Sequence, residues 1–266
     1  MTQTEFIEHI PFETTQVIGA KARIGMVVLA SDYTLEHEFR CIFTPAPGSD
    51  AAQILDGVDL FYARIDNSPD ITPDTLRAMG PKITKTADLI LAGDHVDVVG
   101  FACTSASVVL GSDAVADNLR AAKPAAQTTD PACAATAALR ALGARRVAVL
   151  TPYITEINKQ VAARLGAAGF DVPIFGSFNE SQDPVVAAIT EDSLLQAMRQ
   201  LTAKAQVDAV FVSCTSVRLA GAAQRMEAAL GLPVVSSNLA LAWHCLRLAG
   251  VQDPLPGWGQ LFLQPL

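Results

Sequence analysis

Cys103 and Cys214 stand in closely matching surroundings: GFACTSASVVLG at 100–111 and FVSCTSVRLAG at 211–221. In each, an apolar run ends in cysteine, and the next two residues are Thr-Ser: Thr104-Ser105 and Thr215-Ser216. Thr and Ser are good helix N-capping residues. The pattern therefore predicts a thiol at the C-terminal end of a strand, where a helix begins. The positive end of a helix macrodipole and its unpaired N–H groups favour thiolate, which predicts a pKa below the usual value of about 8.5. The same N–H groups can hold a substrate carboxylate. Two opposed thiols suit one chemistry well. One, as thiolate, takes a proton from a carbon beside a carboxylate, and the other, as thiol, returns a proton to the opposite face. A variant uses one thiolate as a nucleophile on an activated double bond: the adduct rotates about the new single bond and expels the thiolate.

Such thiols need strands that end at a common cleft. Short β-type runs alternate with helical patterns, the signature of βαβ units and a parallel sheet. The strand candidates lie at 23–30, 59–65, 97–103, 146–152, 171–178, 208–214 and 232–237, with a weaker one at 123–129. Long helices are expected over 73–93 and 191–206. The order also repeats. DVVGFACTS at 97 matches DAVFVSCTS at 208, RIGMVVLA at 23 matches RVAVLTPY at 146, and AALRALGA at 137 matches HCLRLAGV at 244. The expected fold is α/β, with two similar doubly wound parallel-sheet domains related by a pseudo-twofold. The first comprises 1–125 plus 238–266 and the second 126–237, with the active-site cleft between them. Open parallel sheets bind ligands beyond the carboxyl ends of their strands, where both cysteines fall.

Composition removes other classes. The chain has 266 residues, 50% of them hydrophobic and 17% charged, enough for a large core. A net charge of −8 with no basic run longer than Arg145-Arg146 excludes a nucleic-acid partner. No apolar run approaches the roughly 18 residues needed to cross a bilayer. The acidic stretch MTQTEFIEHIPFETT lacks a signal-peptide core, so a cytoplasmic protein is expected. The five cysteines form no CxxC pair or Cys/His cluster, which excludes a zinc site, and Cys41, Cys133 and Cys245 read as small packing residues. His37 and His95 read as surface residues and His244 as a packing residue. No GxGxxG, P-loop or strand-end lysine is present. No cofactor or metal is expected. The apolar content is compatible with a homo-oligomer.

With CTS at Cys103, SCTS at Cys214, LTPY at 150–153 and PVVSSN at 233–238, the chain resembles the aspartate/glutamate racemase superfamily. This group includes maleate cis-trans isomerases, arylmalonate decarboxylases and hydantoin racemases, and the chain is most similar to the maleate isomerase branch. The resemblance implies that Cys103 is the nucleophile, Cys214 the acid/base, and Tyr153 a hydrogen-bond donor to substrate. Arylmalonate decarboxylases keep only the second cysteine. The isomerase branch has Asn where this chain has Asp32 and Asp183. An Asn amide donates to a carboxylate, whereas an ionised Asp only accepts, so an ammonium or amide N–H suits these positions better. The stretch ASDYTLEHEFR resembles the racemase-like protein of ectoine-utilisation gene sets, implying an amino-acid-like substrate. The expected substrate-binding residues are therefore Asp32, Thr104, Ser105, Tyr153, Asp183, Thr215 and Ser216. Asp32 also suits the cap of the helix TLEHEFRCIF, and Ser237 and Asn238 suit the cleft edge. Loops 44–53 and 179–183 are expected to set specificity. The leading function is a cofactor-independent racemase or epimerase of a small amino-acid-like carboxylate. Maleate-type isomerisation, arylmalonate-type decarboxylation and plain small-molecule binding are the alternatives.

Overall fold

The computed structural model describes residues 4–16 and 18–266; the first three residues of the acidic N-terminal stretch lie outside the described residues. Two four-stranded parallel sheets share one topology. The first has the order β2-β1-β3-β4, from β1 (Ala22–Leu29), β2 (Val58–Ile65), β3 (Val98–Ala102) and β4 (Gln127–Thr129). The second, β6-β5-β7-β8, is built from β5 (Arg146–Thr151), β6 (Asp171–Ser177), β7 (Ala209–Val212) and β8 (Val234–Ser236). All eight strand candidates are present. The strands β1, β3, β5 and β7 are almost wholly buried, as expected of parallel sheets covered on both faces.

Among the described residues, twelve α-helices accompany the strands. Those of the first half are α1 (Leu35–Phe43), α2 (Asp50–Ile54), α3 (Pro73–Arg77), α4 (Ile83–Asp88), α5 (Thr104–Leu110) and α6 (Ser112–Ala122). The rest are α7 (Pro131–Ala141), α8 (Thr155–Ala167), α9 (Asp183–Ala187), α10 (Glu191–Thr202), α11 (Ala223–Leu230) and α12 (Ser237–Leu248). The repeated Asp that opens each cysteine strand has a structural role. Asp97 accepts the Arg23 N–H at 2.7 Å, and Asp208 accepts the Arg146 N–H at 2.8 Å. Each carboxylate thus ties the start of its lobe's first strand to the strand that carries the thiol.

One expectation needs correction. The helix expected over 73–93 is broken into α3, a 3-10 turn over Gly80–Lys82, and α4. Pro81 lacks an N–H and disfavours helix in the residue before it. The strand β4, just past the boundary expected at 125/126, hydrogen-bonds to β3 in the first sheet. The helix that follows β4, α7, packs against its counterpart α12. Asp130 caps α7 by accepting the Ala132 and Cys133 N–H groups, and Ser236 caps α12 by accepting that of Leu239. Residues Ser237 to Arg247 of α12 are all buried, and four backbone carbonyls from 251–264 ring the Arg247 guanidinium. Among the described residues no helix is long and apolar enough to cross a membrane.

Candidate active site

The strand ends converge on one small cavity. Cys103, Thr104 and Ser105 come from the end of β3 and the first turn of α5, and Tyr153 follows β5. Cys214, Thr215 and Ser216 follow β7, and Asp183 opens α9. Leu29, Asn67, Ser68, Asp70, Ile71, Thr75, Leu76 and Met79 complete the wall. Among the described residues, no lysine, arginine or histidine lines it. The space inside open to a water-sized molecule is about 10 Å³, room for about one water. The two lobes meet across the opening: Ile71 donates its N–H to the Ser181 carbonyl at 3.0 Å, Asp183 donates to Pro69 at 3.3 Å, and the Asp70 and Gln182 side chains are bonded. These contacts tie the two lobes together beside the thiols and leave the cavity narrow.

Both thiols are buried, Cys103 at 3% and Cys214 at 4% exposure. Burial reverses the expected shift, pushing each pKa up to about 12. At Cys103 the Ala106 N–H and the Ser105 hydroxyl, 3.6 Å from the sulfur, pull the other way and lose. At Cys214 burial is reinforced by the negative charge of Asp183 and opposed by Tyr153 and the Ser216 N–H. The resting site therefore holds two protonated thiols, because the desolvation of a thiolate outweighs the donors at one short helix end. The Tyr153 hydroxyl is buried beside the Cys214 sulfur, toward which it can donate, with no partner at full hydrogen-bond distance. Burial also holds its pKa well above the usual range.

The two cysteine loops are not copies. After Cys103 the chain enters α5, which ends at Gly111 with φ of +87°. After Cys214 no helix begins at once: residues 215–217 turn and bend, 218–219 are irregular, a 3-10 turn over Ala220–Ala222 leads into α11, and Cys214 itself has φ of +145°. Partners elsewhere hold the backbone groups that a helix would need. Asn238 donates to the Thr215 carbonyl at 2.8 Å, Thr34 donates to that of Ser216 at 2.8 Å, and Glu38 accepts the Leu219 and Ala220 N–H groups at 2.6 Å each. The two threonines brace the loops across the interface. Thr104 donates to the Ser237 hydroxyl at 2.8 Å, whose oxygen also accepts the Cys214 N–H at 3.0 Å. Thr215 donates to the Ala102 carbonyl at 3.3 Å.

Asp183 lies in the cavity wall and accepts hydrogen bonds from Ser31 at 2.7 Å and Ser216 at 2.8 Å; burial raises its pKa. Asp32 differs from the other expected contacts in standing outside the lining. One of its oxygens caps α1 by accepting the Thr34 and Leu35 N–H groups, while its other oxygen is buried without a partner. Burial pushes its pKa up to about 6, with the charge of Asp183 adding to the rise. Of the two specificity loops, 44–53 contributes nothing to the lining and 179–183 contributes Asp183 alone. The sequence reading missed Asn67 and Ser68, which stand just past β2 and were findable by the strand-end rule. It also missed Glu38. Cys41 is exposed, a poor fit to a packing residue, and Cys133 is half-buried. His37 and His95 are exposed, and His244 is buried against Thr129 at 2.7 Å, with its pKa lowered by burial to about 4. Among the described residues no group of three or more His, Cys, Asp or Glu is arranged to hold a metal ion.

The family model described as arylmalonate decarboxylase matches residues 42–262. The maleate isomerase of Nocardia farcinica is 30% identical over 253 residues, covering 91% of this chain and 96% of that one. Its structure as a cysteine-to-serine mutant with a covalently bound succinylcysteine intermediate superposes with a TM-score of 0.79 at 27% identity, covering 91% and 98% of the two chains. A maleate isomerase structure from Pseudomonas putida gives 0.82 at 26% identity, with the same coverage. On this evidence the chain belongs to the arylmalonate decarboxylase and maleate isomerase family, within the aspartate/glutamate racemase-like fold superfamily.

Proposed function

We propose that the protein is a two-thiol isomerase that racemises or epimerises a small amino-acid-like carboxylate. The observation that carries this reading is the pair Cys103 and Cys214, contributed by separate lobes to one cavity that also holds the Asp183 carboxylate and no cation. Once one thiol has given up its proton, that thiolate takes the proton from the carbon beside the substrate carboxylate while the other sulfur, still a thiol, delivers its proton to the opposite face. The donor and acceptor thiols exchange states, and no outside reductant or cofactor enters the balance. The backbone N–H groups of α5 and the Tyr153 hydroxyl suit the carboxylate; Asp183 suits an ammonium. Thr104, Ser105, Thr215 and Ser216 frame the pair, and Asp32 acts on it from behind through its charge.

The buried thiols also favour a cationic group. The negative charge of Asp183 helps to keep both sulfurs protonated. A bound ammonium offsets that charge and eases formation of the thiolate, whereas a second substrate carboxylate would add to it. The likeness of ASDYTLEHEFR to the racemase-like protein of ectoine-utilisation gene sets supports the same substrate class. We place the protein in the cytoplasm, in line with its free cysteines. Exposed Phe6, Ile7, Ile10 and Phe12 support self-association into a homo-oligomer.

The second reading is maleate-type cis-trans isomerisation by thiolate addition. It is favoured by maleate isomerase relatives that match nearly the whole chain and by the succinylcysteine intermediate seen in one of them. Incubation in deuterium oxide with amino acids, maleate and malonates separates the readings. Racemisation with deuterium at the α-carbon supports the proposal. Inversion without deuterium uptake refutes proton abstraction, maleate turnover moves the assignment to the second reading, and carbon dioxide release moves it to decarboxylation.

A further inference from the structure

The buried carboxylate of Glu38 plays no part in the chemistry above. It sits on α1, where the buried residues are Leu35, Glu38, Phe39, Ile42 and Phe43. These positions are one helical face, so a charge occupies a place that packing alone would give to an apolar residue. Glu38 is 3% exposed, and burial pushes its pKa up to about 7 despite three hydrogen bonds to it. One oxygen accepts the Leu219 and Ala220 N–H groups at 2.6 Å, and the other accepts the Asn238 amide at 2.7 Å. That same amide donates to the Thr215 carbonyl. Glu38 thus grips the far end of the Cys214 loop directly and its near end through Asn238. Cys214 holds a φ of +145°, a conformation that a side-chain-bearing residue keeps only where its surroundings over-determine it.

We propose that Glu38 is a positioning residue for Cys214: reaching across from the first lobe, its carboxylate clamps the backbone of 215–220 and so keeps Cys214 in the strained conformation that directs its sulfur into the cavity. This rests on the two-thiol reading for its purpose but not for its test, which needs no turnover. The amide of Glu38→Gln satisfies the two N–H groups with its oxygen and then presents an NH2 to the Asn238 NH2. Asn238 cannot turn over to accept without losing the Thr215 carbonyl. The clamp loses one arm while the side chain keeps its volume.

The experiment is iodoacetamide labelling of the full chain, read residue by residue by mass spectrometry, with Cys245, which is fully buried, as the internal control for unfolding. In Glu38→Gln the ratio of Cys214 to Cys103 labelling is expected to change at least fivefold, with Cys245 still protected. Thr34→Val removes only the bond to the Ser216 carbonyl and is expected to shift the ratio in the same direction by less; it decides the matter if Glu38→Gln is insoluble. A ratio within twofold of wild type in a folded variant overturns the proposal. So does a parallel rise at Cys103, Cys214 and Cys245, which would mean that Glu38 only stabilises the fold. Neither result would touch the two-thiol chemistry, which deuterium uptake tests separately.

Discussion

The carboxylates behind the cleft predict a stability that falls as pH rises. Burial raises Asp32 from 3.8 to about 6 and Glu38 from 4.5 to about 7. Between the unfolded and folded values the native state binds more protons than the unfolded chain, so stability falls as pH rises. From pH 5 to pH 8, Asp32 crosses about one unit of this window and Glu38 about two, a loss of about 4 kcal/mol at 1.4 kcal/mol per unit. His244 works the other way. Its pKa falls from 6.5 to about 4, so the unfolded chain takes up the extra proton, and the native state regains about 2 kcal/mol by pH 6.5. The net expectation is a fall of about 2 kcal/mol from pH 5 to pH 8, deepened by Asp183 and Glu227, both also raised by burial. Urea unfolding at unit pH intervals, with m-values checked for constancy, measures it. Glu38→Gln should lessen the decline by about 3 kcal/mol, the share of its two units. Stability that is flat or rising from pH 5 to pH 8 in the wild type would refute the claim that these buried groups pay to ionise.

Other consequences concern the site. Cys103→Ser and Cys214→Ser should each lower turnover at least a hundredfold, the scale of a lost acid or base, and Cys133→Ser should leave it unchanged; steady-state rates decide. Asp183→Asn keeps the shape of the side chain and replaces a charge with an amide, so KM for an ammonium-bearing substrate should rise at least tenfold while short diacids bind better; equal KM shifts for both would remove Asp183 from substrate selection. Iodoacetamide labelling of Cys103 and Cys214 in the ligand-free protein should stay slow at pH 8 and climb steeply only above pH 10, because burial holds both thiols near 12. Fast labelling of both below pH 8 would mean that the α5 N-terminus and nearby donors outweigh burial.

Much of this was legible in the chain, for identifiable reasons. The strands were readable because buried parallel strands must be near-continuous Val, Ile, Leu and Ala runs, as in RVAVLT and AVFV. The repeat was readable because both halves need the same Asp at the start and the same thiol at the end of the third strand. What escaped reading was decided by long-range contacts. Nothing local to SCTSVRLAG shows that Thr34, Glu38 and Asn238 will claim its backbone groups and prevent a helix. The thiol pKa values failed for a related reason: Thr-Ser announces a helix N-terminus, but the depth at which two lobes close over it is not written in those letters. Glu38 was the exception that could have been found, since a charge at the i+3 position of an apolar stripe is a local anomaly. The assignment of β4 depended on which sheet edge accepts a three-residue strand, a choice that KPAAQTT does not encode by itself.

The central claim is that Cys103 and Cys214 flank a single substrate carbon. A crystal structure after soaking with a mixed pool of amino acids and short diacids tests it most directly. The account predicts one ligand between the two sulfurs, its α-carbon in contact with both, its ammonium facing Asp183. A ligand that reaches only one sulfur, or that binds outside this cavity altogether while the protein still turns it over, would contradict it.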